Sequence, residues 1–400
     1  MTAKTVRSSE DRQVNRSAEV AIIGGGVIGL SIARALTRGG VRDVAVIERN
    51  ACGREASWAA GGILAPQIEA DARDDFFRLA CASRDMYPQF AADLQTESGI
   101  DVELDTTGTM YVAFSEDEEA ELRHRIEWQR NQGLRVEWLT GDEARAVEPC
   151  LSPNVRFALR FPDDYQVDNR KLVEALVIAN QRLGVKLITS CGAGKIQIAG
   201  GAVTGIQTGL GFLTAQQIVV AAGAWSSSIA AEGALLPRLD IEPVRGQMLC
   251  FHAPGFARHV IYSSRGYIIP RRDGRLLAGS TSEHVGFDKQ VTEAGLDKIN
   301  SMAIEIAPAL ENISVIDSWA GFRPRAKDDL PVLGSVEDVK GLFYATGHYR
   351  NGILLAPITG EVIAATIVNQ TTPTILSAFH PERFRRSELS CRVNAYADID

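Results

Sequence analysis

The chain is 400 residues long, 45% hydrophobic and 23% charged, the proportions of an ordinary folded protein with room for two or three compact units. That composition excludes a disordered chain, a collagen-like repeat and a disulfide-stapled miniprotein. Forty-two basic against 50 acidic residues leave a net charge of −8, which argues against a broad grip on nucleic acid.

The first 17 residues, MTAKTVRSSEDRQVNRS, are polar and lack an apolar stretch. They are expected as a disordered leader, neither signal peptide nor anchor, with order beginning at Glu19. The run Val20 to Ile23, helical spacing over Val27 to Arg38 and a second run from Val44 to Ile47 make a β-α-β unit. Continuous apolar strands imply a parallel sheet covered on both faces. Helices are expected over 74–98 and 115–132, the second with Ser115 and Glu118 at capping-box spacing. Asp168 caps a further helix over 169–183, ended by Gly184 and followed by a strand over 185–188. Residues 195–221 read as short strands with glycine turns. A hairpin pairs Tyr267 to Pro270 with Arg275 to Ala278 around Asp273-Gly274. Residues 341–347 are strand-like and the chain is helical from Ile353. The most membrane-like run, 353–368, is interrupted by Pro357, Gly360 and Glu361, so no integral membrane association is expected. Six scattered cysteines without a C-x-x-C pair read as thiols, not metal ligands. The whole reads as a cytoplasmic protein whose nucleotide-binding domain is interrupted by a more β-rich one.

Gly24-Gly25-Gly26-Val27-Ile28-Gly29 is a G-x-G-x-x-G directly after a strand and opening a helix. Gly24 permits the tight turn, Gly26 lets the backbone approach a pyrophosphate, and Gly29 lets the helix pack on the sheet. Free amides at the helix entrance suit the diphosphate. Glu48 ends the second strand, where a carboxylate accepts from ribose hydroxyls and disfavours a 2′-phosphate. Two later segments argue for more than a nicotinamide cofactor. One runs from Val219 to Trp225 through Gly223, with small residues for close approach; the other, Gly347 to Leu354, is a glycine-rich strand-to-helix junction suited to negative charge. The loop Ala56 to Leu64, with Gly61-Gly62, similarly lets backbone lie against a flat ring.

On the motifs AEVAIIGGGVIGLSIA, ASWAAGGILAP, VVAAGAWS, WAGFRP and GHYRNGILLAP, the chain resembles the D-amino-acid oxidase family of FAD enzymes, specifically its glycine oxidase branch. The resemblance runs from about Glu19 to about Phe384. It implies a Rossmann-type α/β FAD-binding domain (18–80, 166–230 and 326–385) interleaved with an α+β substrate domain on an antiparallel sheet (81–165 and 231–325), then a tail over 386–400. It places Val27, Ile28, Glu48, Arg49, Ala56, Ser57, Gly61, Gly62 and Ile63 beside FAD, Ala193 near the adenine, and His348, Tyr349, Arg350, Asn351, Gly352, Ile353 and Leu354 at the isoalloxazine. Ala320 to Gly334 holds no cysteine, so the covalent flavin link of some sarcosine oxidases is excluded there and FAD is expected non-covalent.

An amino-acid substrate needs its carboxylate held so that Cα–H faces flavin N5. A guanidinium fork suits this better than an ammonium. Arg323, extended before Pro324, takes this role in the motif. Arg350 either contacts substrate or sets flavin electrostatics. Tyr267, on the same strand face as Ile269, either donates to the carboxylate or packs on the sheet. His284 follows the hairpin, at the pocket mouth or as a satisfied loop residue. Met110, Trp138 and Trp319 read as core or pocket wall. No Ser/His/Asp set and no paired metal ligands emerge; the cofactor carries the chemistry and the protein orients. The family implies oxidation of glycine, sarcosine or small D-amino acids by hydride transfer to N5. The imine is hydrolysed to glyoxylate and ammonia, O2 is reduced to hydrogen peroxide, and thiamine thiazole synthesis is a use for the product. The family also implies a homo-oligomer. Alternatives are a D-amino-acid dehydrogenase feeding a quinone and a non-catalytic flavin-binding redox sensor.

Overall fold

The computed structural model describes residues 16–70 and 72–385. In chain order, the elements that frame the site are β1 (Arg16–Ile23), α1 (Val27–Arg38), β2 (Val44–Ile47), α2 (Asp75–Ser98), α3 (Asn169–Arg182), β3 (Lys186–Ile188), β4 (Gly211–Val220), β5 (Glu242–His252), β6 (Gly266–Pro270), β7 (Arg275–Gly279), β8 (Val315–Arg325), β9 (Leu342–Thr346) and α4 (Ala356–Asn369). The expected tail, 386–400, and residues 1–15 of the expected leader lie outside the described residues. The end of that leader is corrected: β1 begins at Arg16, ahead of Glu19. The reason is β4, ten residues long, whose Leu213 is in register with Arg16.

Five parallel strands lie in the order β3-β2-β1-β4-β9. Val20 to Ile23 and Val44 to Ile47 are buried throughout because alternate residues meet two different layers. Val20, Ile22, Val44 and Val46 pack under α1, α3 and α4. Ala21, Ile23, Ala45 and Ile47 meet the antiparallel strands Ala193–Ala199 and Ala202–Thr208, which pair onto the first half of β4. Local signals hold where expected. Ser115 and Glu118 form a capping box, and Asp168 accepts from the amides of Arg170 and Lys171 at 2.9 and 3.0 Å. Asp74 caps α2 through Phe77 N at 2.7 Å. One boundary shifts. The helix expected from Ile353 begins at Ala356, because Asn351 to Leu355 form a turn and Pro357 suits the helix's first turn.

The second sheet has eight strands. Its order is β8-β5-β7-β6, then Val260–Ser263, Thr109–Ala113, Phe157–Phe161 and Glu137–Thr140. It is antiparallel apart from one parallel join, between Val260–Ser263 and Thr109–Ala113. Those strands come from distant stretches of chain, with no hairpin to impose opposite directions. The turns at the C-terminal ends of β1, β2, β4 and β9 face this sheet across a cleft, the usual ligand position in an open α/β sheet. Among the described residues no helix is long and apolar enough to cross a membrane, and the five described cysteines are free thiols.

Candidate active site

The cleft is a cavity of about 400 Å³. Every residue singled out above as a cofactor or substrate contact lines it, except Gly29 and Leu354. Gly29 acts through packing: a Cβ there would stand 2.0 Å from the Gly24 carbonyl oxygen. Leu354 corrects the expectation. Its side chain is buried and its carbonyl accepts from Ser83 Oγ at 2.6 Å, because the chain turns inward there before α4. His284 is exposed, with Nδ1 3.3 Å from Glu242 Oε1, and does not line the cavity. Met110 is core, Trp138 stacks on Phe157, and Trp319 donates to Ala59 O.

At one end the β1–α1 turn sits against β4. Gly24 has φ +110°, and a Cβ would lie 2.4 Å from Ala221 O, so only glycine fits. Glu48 reaches back from β2 to accept from the amides of Gly25 (2.9 Å) and Asn50 (3.0 Å). Ser57 Oγ accepts from Val27 N at 3.0 Å, tying the following loop to the α1 entrance. The amides of Gly26 and Ile28 have no protein acceptor among the described residues, and both residues line the cavity. Arg49 lies 3.6 Å over the Trp225 ring and donates to Glu55 Oε1 at 2.8 Å.

The loop over 56–62 is pinned by side chains that sequence reasoning missed. Asn169 Nδ2 donates to the carbonyls of Ser57 (2.8 Å) and Trp58 (3.0 Å), and buried Arg271 donates to Gly61 O (2.6 Å). Arg170 lies over the rings of Trp58 and Trp319. Asp168 was legible as a cap and thereby marked the start of α3; nothing marked its neighbour Asn169 as a loop anchor.

Across the cavity, the turn before α4 is equally fixed. Tyr349 N donates to Pro324 O at 2.9 Å, joining this turn to β8, and Tyr87 and Ser83 of α2 donate to the carbonyls of Ile353 and Leu354. The amides of Gly352 and Ile353 line the cavity without a protein acceptor among the described residues. His348 is 4% exposed beside Thr359 Oγ1, and burial pushes its pKa down to about 3, so the imidazole is neutral at pH 7.

β8 carries Arg323 to the same end. Its Nη1 donates to Thr281 O (3.1 Å) and its Nη2 to Ser280 Oγ (2.6 Å). The guanidinium lies flat on β5 at Gly246, where a Cβ would stand 2.3 Å from Nη1. Burial lowers its pKa and the Arg350 charge lowers it further, against support from Tyr267 and Tyr349. Burial also works against Arg350, yet Glu69 and Tyr349 raise its pKa overall. The Tyr267 hydroxyl is 3.2 Å from Ser280 Oγ, and Met248 and Tyr262 complete this wall. Gly246, Met248, Tyr262 and Ser280 carried no sequence signal, since only the pairing of distant strands brings them to Arg323.

Two helix entrances with free amides, a backbone loop held flat and a carboxylate at the end of β2 suit an elongated dinucleotide with a flat ring system. Residues 19–366 match the family model described as FAD dependent oxidoreductase. The glycine oxidase of Pseudomonas putida is 36% identical over 348 residues, covering 86% of this chain and 93% of that protein. The bifunctional protein ThiO/ThiG of a Synechocystis strain is 37% identical over 387 residues, 94% of this chain but 56% of that longer protein. The crystal structure of glycine oxidase from Geobacillus kaustophilus superposes with a TM-score of 0.86 at 34% identity, covering 91% of this chain and 98% of that one. The chain therefore belongs to the D-amino-acid oxidase family of FAD-dependent oxidoreductases, in which it groups with the glycine oxidases, and it is an FAD-dependent amino-acid oxidase.

Proposed function

We propose that the protein oxidises glycine and related small amines such as sarcosine and small D-amino acids. The products are an imine, hydrolysed to glyoxylate and ammonia, and hydrogen peroxide. The observation that carries this reading is a corner of the cavity where two guanidinium groups, Arg323 and Arg350, outnumber one carboxylate, Glu69. Arg323 makes no ion pair among the described residues, and Arg350 is close enough to depress its pKa further. Such a corner favours an anion, and a planar guanidinium binds both oxygens of a carboxylate.

Bound FAD would supply the two-electron acceptor for the Cα hydrogen and pass the pair to dioxygen. The chain's own residues orient and shield. Arg323 fixes the carboxylate and Tyr267 donates a second hydrogen bond to it. Met248 and Tyr262 bound the space around Cα, which favours small substrates. The neutral His348 adds no positive charge to this end of the cavity, and the amides of Gly352 and Ile353 would stabilise negative charge on a bound flavin. Gly26, Ile28 and Glu48 would hold the pyrophosphate and ribose of FAD, bound without a covalent link. On the same reading, glycine imine released here supplies thiamine thiazole synthesis.

A panel of glycine, sarcosine, D-alanine and ethylamine, with peroxide as readout, tests the proposal on the purified FAD-loaded protein. The first three should yield peroxide, glycine with equimolar glyoxylate, and ethylamine should be slow. Turnover that needs an added quinone and releases no peroxide would replace the oxidase with a dehydrogenase.

A further inference from the structure

We propose that Ser280 is a positioning residue, whose hydroxyl couples Arg323 to Tyr267 and sets the direction in which the Tyr267 proton points. The inference rests on the carboxylate reading given above. Ser280 follows β7, is half-buried and does not itself line the cavity. Tyr267 is in register with Gly279, its chain neighbour, and Arg323 arrives from β8 across β5. One oxygen thus meets two side chains of the substrate wall, Arg323 Nη2 at 2.6 Å and the Tyr267 hydroxyl at 3.2 Å.

The hydrogen-bond inventory decides what that oxygen does. A serine hydroxyl has one proton and two lone pairs, whereas a guanidinium only donates. Arg323 therefore takes one lone pair and leaves Ser280 with one proton and one lone pair for Tyr267. Without an anion, the Tyr267 proton has two acceptors, Ser280 Oγ at 3.2 Å and the weaker Met248 sulfur at 3.7 Å, and the oxygen is the better of the two. A carboxylate in the corner is the stronger acceptor for the Tyr267 proton, because bonds to ionised groups are about twice as strong as neutral ones. As that proton turns to the carboxylate, the Tyr267 oxygen loses its role as donor to Ser280. The Ser280 proton then turns to it. The chain runs from Arg323 through Ser280 and Tyr267 to the substrate, with each bond polarising the next.

Only a residue with both an acceptor and a movable proton serves here, so threonine should substitute and alanine should not. Loss of Ser280 Oγ leaves Arg323 anchored by Nη1 on Thr281 O, a bond to backbone. The effect therefore falls on the relay more than on the seat of the arginine.

The test uses the FAD-loaded enzyme. Ser280→Ala should raise KM for glycine about 5–30-fold, with kcat changed less than about twofold. Binding of acetate, followed by its perturbation of the flavin spectrum without turnover, should weaken in parallel. Ser280→Thr should recover glycine KM to within about threefold, and KM for ethylamine should not move. In a Tyr267→Phe background, Ser280→Ala should add less than about twofold, because the relay is already cut. A full multiplicative effect in that background, no rescue by threonine, or an equal loss for ethylamine would each overturn the relay. Arg323→Ala separates the two levels. If it weakens acetate binding while Ser280→Ala does not, the relay fails and the carboxylate anchor stands. If Arg323→Ala leaves acetate binding intact, the anchor fails and the relay falls with it.

Discussion

Replacing Arg323 by alanine ties substrate class to one side chain. Two of the five guanidinium protons are held by Ser280 and Thr281, which leaves Nε–H and one proton on each terminal nitrogen for a bound anion. No acidic side chain forms an ion pair with this group among the described residues, and its pKa is lowered mainly by burial. A substrate carboxylate would thus be its charged partner in a site shielded from water. Truncating one member of such a pair costs on the order of 2–5 kcal/mol. At a factor of ten per 1.4 kcal/mol, kcat/KM for glycine should fall roughly 30-fold to several thousandfold. FAD content should stay near that of the wild type, since the amides that suit the cofactor belong to other segments. Arg323→Lys should recover only part of the loss, because a point charge cannot keep both anchors and also offer a fork. The assay is steady-state peroxide release with glycine and, in parallel, ethylamine, which lacks the carboxylate. Ethylamine should be nearly indifferent to the substitution. Equal losses for both substrates would refute the assignment and point to a folding or flavin defect.

Three further outcomes follow from the same geometry. If Glu48 accepts from the ribose, Glu48→Ala removes that carboxylate acceptor, so FAD affinity should fall about 10–100-fold for a loss of roughly 1.5–3 kcal/mol. Titration of the apoprotein measures this, and unchanged affinity would mean that β2 does not end at the ribose. Gly29→Ala forces a methyl to within 2.0 Å of Gly24 O, so the helix must shift. Tm should fall by several degrees for about 1–3 kcal/mol of overpacking, with weakened FAD retention; a wild-type Tm would show that α1 sits further from the turn. His348 has a folded pKa of about 3 against an ordinary value near 6.5, so the unfolded chain binds more protons between those limits. Stability should drop as pH falls below 6.5, by up to about 1.4 kcal/mol per pH unit from this group. Melting curves of His348→Asn should lack that increment, whereas parallel acid limbs for variant and wild type would contradict it.

The parts of the site legible in the sequence are those where backbone geometry restricts residue type. Gly24 and Gly29 are fixed by close approach to Ala221 and to the turn itself, and such constraints leave a spaced glycine pattern. Arg323 was legible through its motif, and the burial of β1 and β2 through their continuous apolar runs. What remained hidden depends on contacts between distant segments. Arg271 holds Gly61, Ser83 holds Leu354, and Ser280 meets Arg323 only because β5 lies between β7 and β8. A buried arginine or a loop serine has no local periodicity to betray it. The same holds for the ends of elements: β1 starts at Arg16 because of the length of β4, a property of its partner.

On the proposed function, a small amino acid delivers electrons to FAD in this cavity and dioxygen removes them. An anaerobic titration of the FAD-loaded protein with glycine, followed by admission of oxygen, tests it most directly. The visible flavin band should bleach without oxygen and return when oxygen is admitted, with one hydrogen peroxide released per flavin. A band that stays unbleached with glycine, sarcosine and D-alanine alike would contradict the account, as would a bleached band that recovers only when a quinone is added.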